Sequence, residues 1–87
     1  MGVYRQRKVI VVMPAFNAAK TLHQTYRDVM DQEMVDEIIL VDDASGDETV
    51  GLARTLPKTR VFTHERNLGY GANQKTCYRL ALEAGAD

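Results

Sequence analysis

Two adjacent carboxylates, Asp42 and Asp43, directly follow an apolar run at residues 38–41. The run is rich in branched side chains, which is typical of a strand buried on both faces of a parallel sheet. In open α/β sheets, ligands bind at the carboxyl ends of the strands. The sequence therefore predicts that Asp43 lies at a binding edge, where its carboxylate can accept hydrogen bonds from ring N–H or ribose hydroxyl groups.

Part of the acidic cluster has a structural interpretation. Ser45 and Glu48 have the Ser-x-x-Glu spacing of a capping box, which marks the start of a helix. Asp47 adds negative charge near the positive end of the same helix dipole. We therefore expect these residues to fix the beginning of a helix that follows the acidic pair.

Four further residues could complete a nucleotide site. Phe16 offers an aromatic face for a flat base. The backbone amides around Gly69 and Gly71 can approach phosphate oxygens, with Lys75 one turn on as a charge partner. Taken singly, Phe16 can equally be a packing residue and Lys75 an ordinary solvated charge. Gln74 occupies the third glycine position of a dinucleotide fingerprint, so that motif is absent.

The remaining reactive side chains have simpler interpretations. His23 and His64 lie far apart in the sequence, without carboxylate or thiol partners at ligand spacing, so we interpret both as bystanders. Arg66 could contact a phosphate, but it is interpreted as a loop charge. Cys77 is the lone cysteine and is interpreted as a core residue. A single cysteine gives no disulfide framework, which favours a reducing, cytoplasmic compartment.

Composition limits the class of protein. A chain of 87 residues that is 45% hydrophobic indicates one small globular unit with a modest buried fraction. The formal net charge is -1, and the basic residues are scattered apart from Arg5, Arg7 and Lys8, which argues against nucleic-acid binding. No apolar run approaches the length of about 20 residues that a membrane span needs, so we expect a soluble chain.

The pattern of elements predicts three strand and helix pairs. Strands are predicted at residues 8–13, 37–42 and 60–64, and Pro14 is expected to end the first because proline cannot donate to a central ladder. Helical spacing groups the apolar residues Leu22, Tyr26, Val29 and Met30, then Val50, Ala53 and Leu56, then Cys77, Leu80, Ala81 and Ala84. Pro57 is expected to stop the second helix and Gly85 to close the third.

Strands that alternate with helices of this length favour parallel pairing through right-handed crossovers. The predicted fold is therefore α/β, a three-layer Rossmann-like parallel sheet built as β-α-β-α-β-α. Its strand ends bring together three loops, at residues 14–17, 42–45 and 67–71. We expect these loops to form one binding crevice.

Three segments of the sequence resemble the amino-terminal part of family 2 inverting glycosyltransferases. They are Val-Val-Met-Pro-Ala-Phe-Asn-Ala at 11–18, Leu-Val-Asp-Asp-Ala-Ser-Gly-Asp-Glu-Thr at 40–49, and Asn-Leu-Gly-Tyr-Gly-Ala-Asn at 67–73. Their order and spacing cover nearly the whole chain. Within the family, the sequence most resembles the branch that contains the dolichyl-phosphate and polyprenyl-phosphate sugar synthases.

The resemblance implies a GT-A fold whose amino-terminal half binds the nucleoside of a nucleotide-sugar donor. Asp43 corresponds to the carboxylate that reads the base, with Asp42 as its neighbour, and residues 69–73 correspond to the loop and helix start beside the donor. The first nucleotide-contacting loop corresponds to Pro14, Ala15, Phe16 and Asn17.

The resemblance also implies what residues 1–87 do not contain. They correspond to a partial domain that stops before the Asp-x-Asp motif, so the ligands of the expected divalent cation, Mg²⁺ or Mn²⁺, and the catalytic base lie beyond Asp87. A chain without them is not expected to catalyse transfer. The implied acceptor is a glycan or a polyprenyl phosphate, and the latter would bring the full-length protein to the cytoplasmic face of a membrane.

Two other classes were compatible with parts of the pattern. One is a noncatalytic nucleotide-binding or scaffold module that keeps the fold without chemistry. The other is a receiver domain, in which an acidic pair also follows an apolar strand and Asp87 would be near the phosphoacceptor position. An entire strand and helix pair precedes Asp42 here, and Asp87 follows a helix end, which argues against a receiver domain.

Overall fold

The computed structural model describes residues 9–32 and 35–85 of the chain. Within them, three parallel strands form one sheet in the order β1-β2-β3. The elements in chain order are β1 (Ile10–Ala15), α1 (Leu22–Gln32), β2 (Glu37–Asp42), α2 (Thr49–Ala53), β3 (Thr59–Thr63) and α3 (Tyr70–Glu83). The predicted α/β class with parallel strands is confirmed. Arg5, Arg7, Lys8 and Asp87, which the sequence analysis used, lie outside the described residues.

The central strand β2 is buried on both faces, as its unbroken apolar run predicts. Ile38 and Leu40 pack into one cluster with side chains of α1 and α2, whereas Ile39 and Val41 pack into a second cluster with α3. All four side chains are 0% exposed. The helices therefore lie in two layers, with the sheet between them, and the three-layer arrangement is confirmed.

Each helix meets the sheet through the apolar residues that its spacing predicts. Leu22 of α1 is buried, and the other apolar residues of that helix pack against the same cluster. On α3, Cys77 and Ala81 are buried against β2. Burial raises the pKa of the Cys77 thiol, which keeps it protonated. The interpretation of Cys77 as a core residue is confirmed.

The prediction that Pro14 ends the first strand is wrong. β1 continues through Pro14, which pairs in register with Val41, and ends at Ala15, which pairs with Asp42. Among the described residues β1 lies at an edge of the sheet, where a proline is tolerated if its missing donor faces away from the neighbour. The Asp43 N–H donates to the Ala15 carbonyl at 2.9 Å, so the backbone of Ala15 faces β2. Since alternate residues of a strand face the same neighbour, the backbone of Pro14 faces away from β2.

Other element boundaries differ by a few residues from the prediction. β3 begins at Thr59 and ends at Thr63, so His64 lies just beyond the strand. α2 ends at Ala53, and the buried Leu56 lies in the turn that follows. α3 begins at Tyr70, which places Gly71 inside the helix rather than in the loop before it. In the part of the chain that the structure describes, no helix is long and apolar enough to cross a membrane.

Candidate functional site

The loop after β1 is fastened to the loop after β2 by hydrogen bonds between backbone and side chain. The Asn17 N–H donates to Ser45 Oγ at 2.8 Å, and the Gly46 N–H donates back to Asn17 Oδ1 at 2.8 Å. The Ala18 N–H donates to Oγ1 of the fully buried Thr49 at 2.8 Å. These bonds hold the two loops in one arrangement at the carboxyl edge of the sheet, which is the edge where open α/β sheets bind ligands.

Asp42 is directed into this loop contact. Its side chain is 1% exposed. Oδ2 accepts the Ser45 N–H at 2.8 Å, and Oδ1 accepts the Ser45 hydroxyl. Because Ser45 Oγ in turn accepts the Asn17 N–H, Asp42 supports the first loop through Ser45.

The predicted capping box is not formed. α2 begins at Thr49, and Glu48 is the residue before it. The Glu48 side chain makes no capping hydrogen bond to the helix. Asp47 acts at this position instead, because its Oδ1 accepts the Thr49 N–H at 3.0 Å. The hydrogen bond from the Thr49 hydroxyl lowers the pKa of Asp47, and this effect outweighs the opposing effect of desolvation. Ser45 is thus a link between loops, and the expected structural role of the acidic cluster is met by different bonds.

Asp43 joins the end of β2 to the loop before α3. Its Oδ1 accepts the Leu68 N–H at 2.8 Å and lies 2.8 Å from His64 Nδ1, while its Oδ2 accepts the Gly69 N–H at 2.9 Å. The side chain is 4% exposed. Burial alone would raise the pKa of this carboxyl group, but the bonds from Leu68, His64 and Gly69 together lower it below the ordinary value of 3.8. Asp43 is therefore ionised at neutral pH.

His64 contacts the cavity residue Asp43, so the expectation that it has no carboxylate partner is wrong. Besides its contact with Asp43, its Nε2 lies 3.0 Å from Thr76 Oγ1 on α3. Sequence spacing did not reveal this, because Asp43 and Thr76 reach His64 from two other elements. The signal that was present is the position of His64 directly after a strand, at the same sheet edge as Asp43.

A cavity of about 410 Å³ opens at this edge, within the range of small-molecule sites. Phe16 is 52% exposed on its wall, and Asp43 is the acidic residue there. The residues that line it are Pro14, Ala15, Phe16, Asp43, Asn67, Gly69, Tyr70 and Asn73. The structure thus brings residues from all three predicted loops around one opening.

The other predicted site residues lie elsewhere. Asn17 and Asp42 are engaged in the loop contact behind the cavity. Gly71 lies in the first turn of α3, and Lys75 lies on the exposed face of that helix, two residues from the buried Asn73 and Cys77. None of these predicted residues lines the cavity.

Asn73 holds the cavity wall to the sheet. Its side chain is 2% exposed, and its Nδ2 donates to the Val41 carbonyl at 2.9 Å. Sequence analysis placed Asn73 beside the donor only through the family resemblance. In the structure it lines the cavity and also anchors the first turn of α3 to the end of β2.

The described residues do not fit a metal ion. No group of three or more His, Cys, Asp or Glu side chains in them could hold one. The two adjacent carboxylates do not substitute for such a group, because Asp42 and Asp43 accept hydrogen bonds from protein donors. We therefore assign no step of chemistry to a metal held by these residues.

Comparison with protein families identifies the type of site. The sequence model described as Glycosyl transferase family 2 matches residues 10–83, which includes every described strand and helix. The chain belongs to glycosyl transferase family 2. Membership in this family confirms the family to which the three sequence segments pointed and removes the receiver-domain alternative, whereas the inverting mechanism stays a prediction. The polyprenyl-phosphate branch of glycosyl transferase family 2 stays a prediction.

One relative is considerably longer than this chain. An uncharacterized protein of Mycobacterium tuberculosis (strain CDC 1551 / Oshkosh) is 33% identical over 76 residues, which is 84% of this chain and 24% of the relative. The chain thus spans about a quarter of the length of this curated relative. Its name assigns no donor or acceptor.

Proposed function

We propose that this chain forms the nucleotide-binding part of a glycosyltransferase that transfers a sugar from a nucleoside-diphosphate sugar to an acceptor. The observation that carries the proposal is the cavity between Phe16 and Asp43. It joins an exposed aromatic face to an ionised carboxylate at the carboxyl edge of a parallel sheet. Family 2 membership supplies the class of reaction.

Phe16 and Asp43 suit the two features of a nucleobase. The exposed Phe16 ring can stack on the face of a base, and such stacking contributes about 1–3 kcal/mol per base. Asp43 can accept a hydrogen bond from an N–H on the base edge. Pro14 and Ala15 form the adjoining wall of the cavity.

The diphosphate would extend from the base toward α3. The Gly69 N–H already donates to Asp43, so it is committed to the carboxylate. Tyr70 and Gly71 occupy the first turn of α3, where N–H groups have no partner within the helix and the helix dipole favours an anion. Lys75 remains a predicted charge partner, from the outer face of that helix.

The rest of the reaction is proposed from family membership. Inversion implies direct attack by an acceptor oxygen with a general base, and no described residue is assigned that role. The acceptor is proposed to be a glycan or a polyprenyl phosphate. A divalent cation and its ligands would come from outside the described residues. We place the transfer in the cytoplasm, at the membrane face if the acceptor is a lipid.

An amide-resolved NMR titration with UDP, GDP and ADP tests this proposal. We expect saturable shifts for at least one of them, clustered at Phe16, Asp43 and the Leu68 and Gly69 amides. The exposed residue Leu82, near the carboxyl end of α3, serves as an internal control that should not shift. A folded spectrum without saturable shifts for any of the nucleotides would contradict the proposal.

A further inference from the structure

Protein donors occupy most of the hydrogen-bond acceptor positions of the Asp43 carboxylate. Its two oxygens have about four acceptor positions between them. On Oδ1, the Leu68 N–H and His64 Nδ1 occupy both positions at 2.8 Å each. On Oδ2, the Gly69 N–H occupies one at 2.9 Å. One position is left for a ligand, and it belongs to Oδ2.

Contacts on both sides of the His64 ring keep its Nδ1 within hydrogen-bonding distance of Asp43 Oδ1. An ionised Asp43 has no proton to donate, so His64 Nδ1 must carry the hydrogen of this bond. On the opposite side of the ring, Nε2 lies 3.0 Å from Thr76 Oγ1, which itself lies 3.1 Å from the Ala72 carbonyl oxygen. The imidazole is therefore fixed between β2 and α3, and only 12% of its side chain is exposed.

Uracil and guanine both carry a ring N–H on the edge that a carboxylate can bind, but they differ in their number of donors. Uracil presents one N–H between two carbonyl groups. Guanine presents a ring N–H beside an amino group, and the pair fits a carboxylate through both oxygens. Because His64 and Leu68 occupy both acceptor positions of Oδ1, Asp43 can accept a hydrogen bond from only one donor of the base, through Oδ2.

We propose that His64 determines the base specificity of the donor site by filling Oδ1 of Asp43, so that the site takes uracil-type bases in preference to guanine. This inference rests on the proposed function, because it concerns the same cavity. Guanine would leave its second donor without a partner in a desolvated site, which is the kind of loss that produces strong discrimination. His64 acts here as a positioning residue through Asp43.

Calorimetric titration with UDP and GDP measures this preference in the wild-type chain and in His64→Ala. We expect UDP to bind wild type about tenfold or more tightly than GDP, which corresponds to one unsatisfied donor. In His64→Ala, Oδ1 regains an acceptor position, so the ratio of UDP affinity to GDP affinity should fall toward one. A purely structural role for His64 would weaken both nucleotides equally.

Two further variants control the comparison. His64→Asn keeps an N–H close to the position of Nδ1, from which it can reach Oδ1, and should restore much of the wild-type ratio. His23→Ala removes the other histidine, which is exposed on α1, and should leave the ratio unchanged. If wild type binds GDP as tightly as UDP or more tightly, the inference about His64 is overturned while the proposed function stands. This comparison needs only the wild-type chain, so it holds even if His64→Ala does not fold. Binding of neither nucleotide overturns the proposed function as well.

Discussion

His64 Nδ1 lies 2.8 Å from Asp43 Oδ1, which joins the residue after β3 to the residue after β2. The same carboxylate accepts two backbone N–H groups from the loop that leads into α3. Asp43 is therefore a structural connection as well as a cavity residue. The stability of the chain should therefore depend on the ionisation of Asp43 and on the backbone conformation at Gly69. Both effects can be measured without a ligand.

Asp43 should stabilise the chain at neutral pH and lose that effect in acid. Its pKa in the folded chain lies below the ordinary 3.8, although burial opposes this, because Leu68, His64 and Gly69 donate to it. Its contribution is complete above the unfolded pKa and is lost as pH falls through the folded pKa, since the unfolded chain binds the proton first.

Urea unfolding between about pH 7 and pH 2 tests this linkage in wild type and Asp43→Asn. We expect Asp43→Asn to be less stable at pH 7 and to lose less stability below about pH 4 than wild type. Asp31→Asn changes an exposed carboxylate of α1 and is the matched control. If the free energy of unfolding changes with pH in the same way in wild type and Asp43→Asn, Asp43 does not have a lowered pKa in the folded chain.

Ser45→Ala should loosen the contact between the first two loops. The substitution removes the hydroxyl that donates to the buried Asp42 and accepts from the Asn17 N–H. Leaving such groups unsatisfied costs about 1–3 kcal/mol in the free energy of unfolding. Hydrogen exchange should then be faster at Asn17 and Ala18, and a change limited to the amides of α2 would instead support the capping box.

Gly69→Ala should destabilise the chain through backbone conformation. Gly69 has φ 96° and ψ 163°, and an added Cβ would meet no atom within 4 Å, so strain rather than collision is expected. This region of φ and ψ costs other residues about 1–3 kcal/mol. Gly71→Ala, inside α3, is the control and should stabilise the helix by up to about 1 kcal/mol. A loss of stability in both variants would refute the conformational explanation.

Phe16→Ala should weaken nucleotide binding without much effect on stability. The ring is 52% exposed, and exposed substitutions usually change the free energy of unfolding by less than about 0.5 kcal/mol. Loss of stacking on a base should reduce affinity by about tenfold or more. Leu68→Ala removes an apolar side chain of similar exposure, 47%, that does not line the cavity. Equal calorimetric affinities for the two variants would show that Phe16 does not contact the base.

The sequence predicted those features that depend on local pattern. The buried strand at residues 38–41, the apolar faces of α1 and α3 and the convergence of three loops all follow from periodicity and from the geometry of parallel sheets. Pro14 was misjudged because its tolerance in β1 depends on that strand's place at an edge of the described sheet.

The bonds within the site depended on tertiary geometry. Ser45 has capping spacing, but the loop at Asn17 takes its hydroxyl as an acceptor. The acidic neighbour of His64 in the sequence is Glu65, yet folding places the His64 ring against Asp43, 21 residues away. Such partners become visible only when the strand ends are brought side by side.

The most direct test of the central claim is the position of a bound base in the cavity. We would measure intermolecular nuclear Overhauser effects between UDP and the chain at saturating nucleotide. The account predicts contacts from the uracil ring protons to the Phe16 ring and to the Leu68 and Gly69 amides. Bound UDP with contacts only to residues outside this cavity, such as Tyr78 and Leu82, would contradict it.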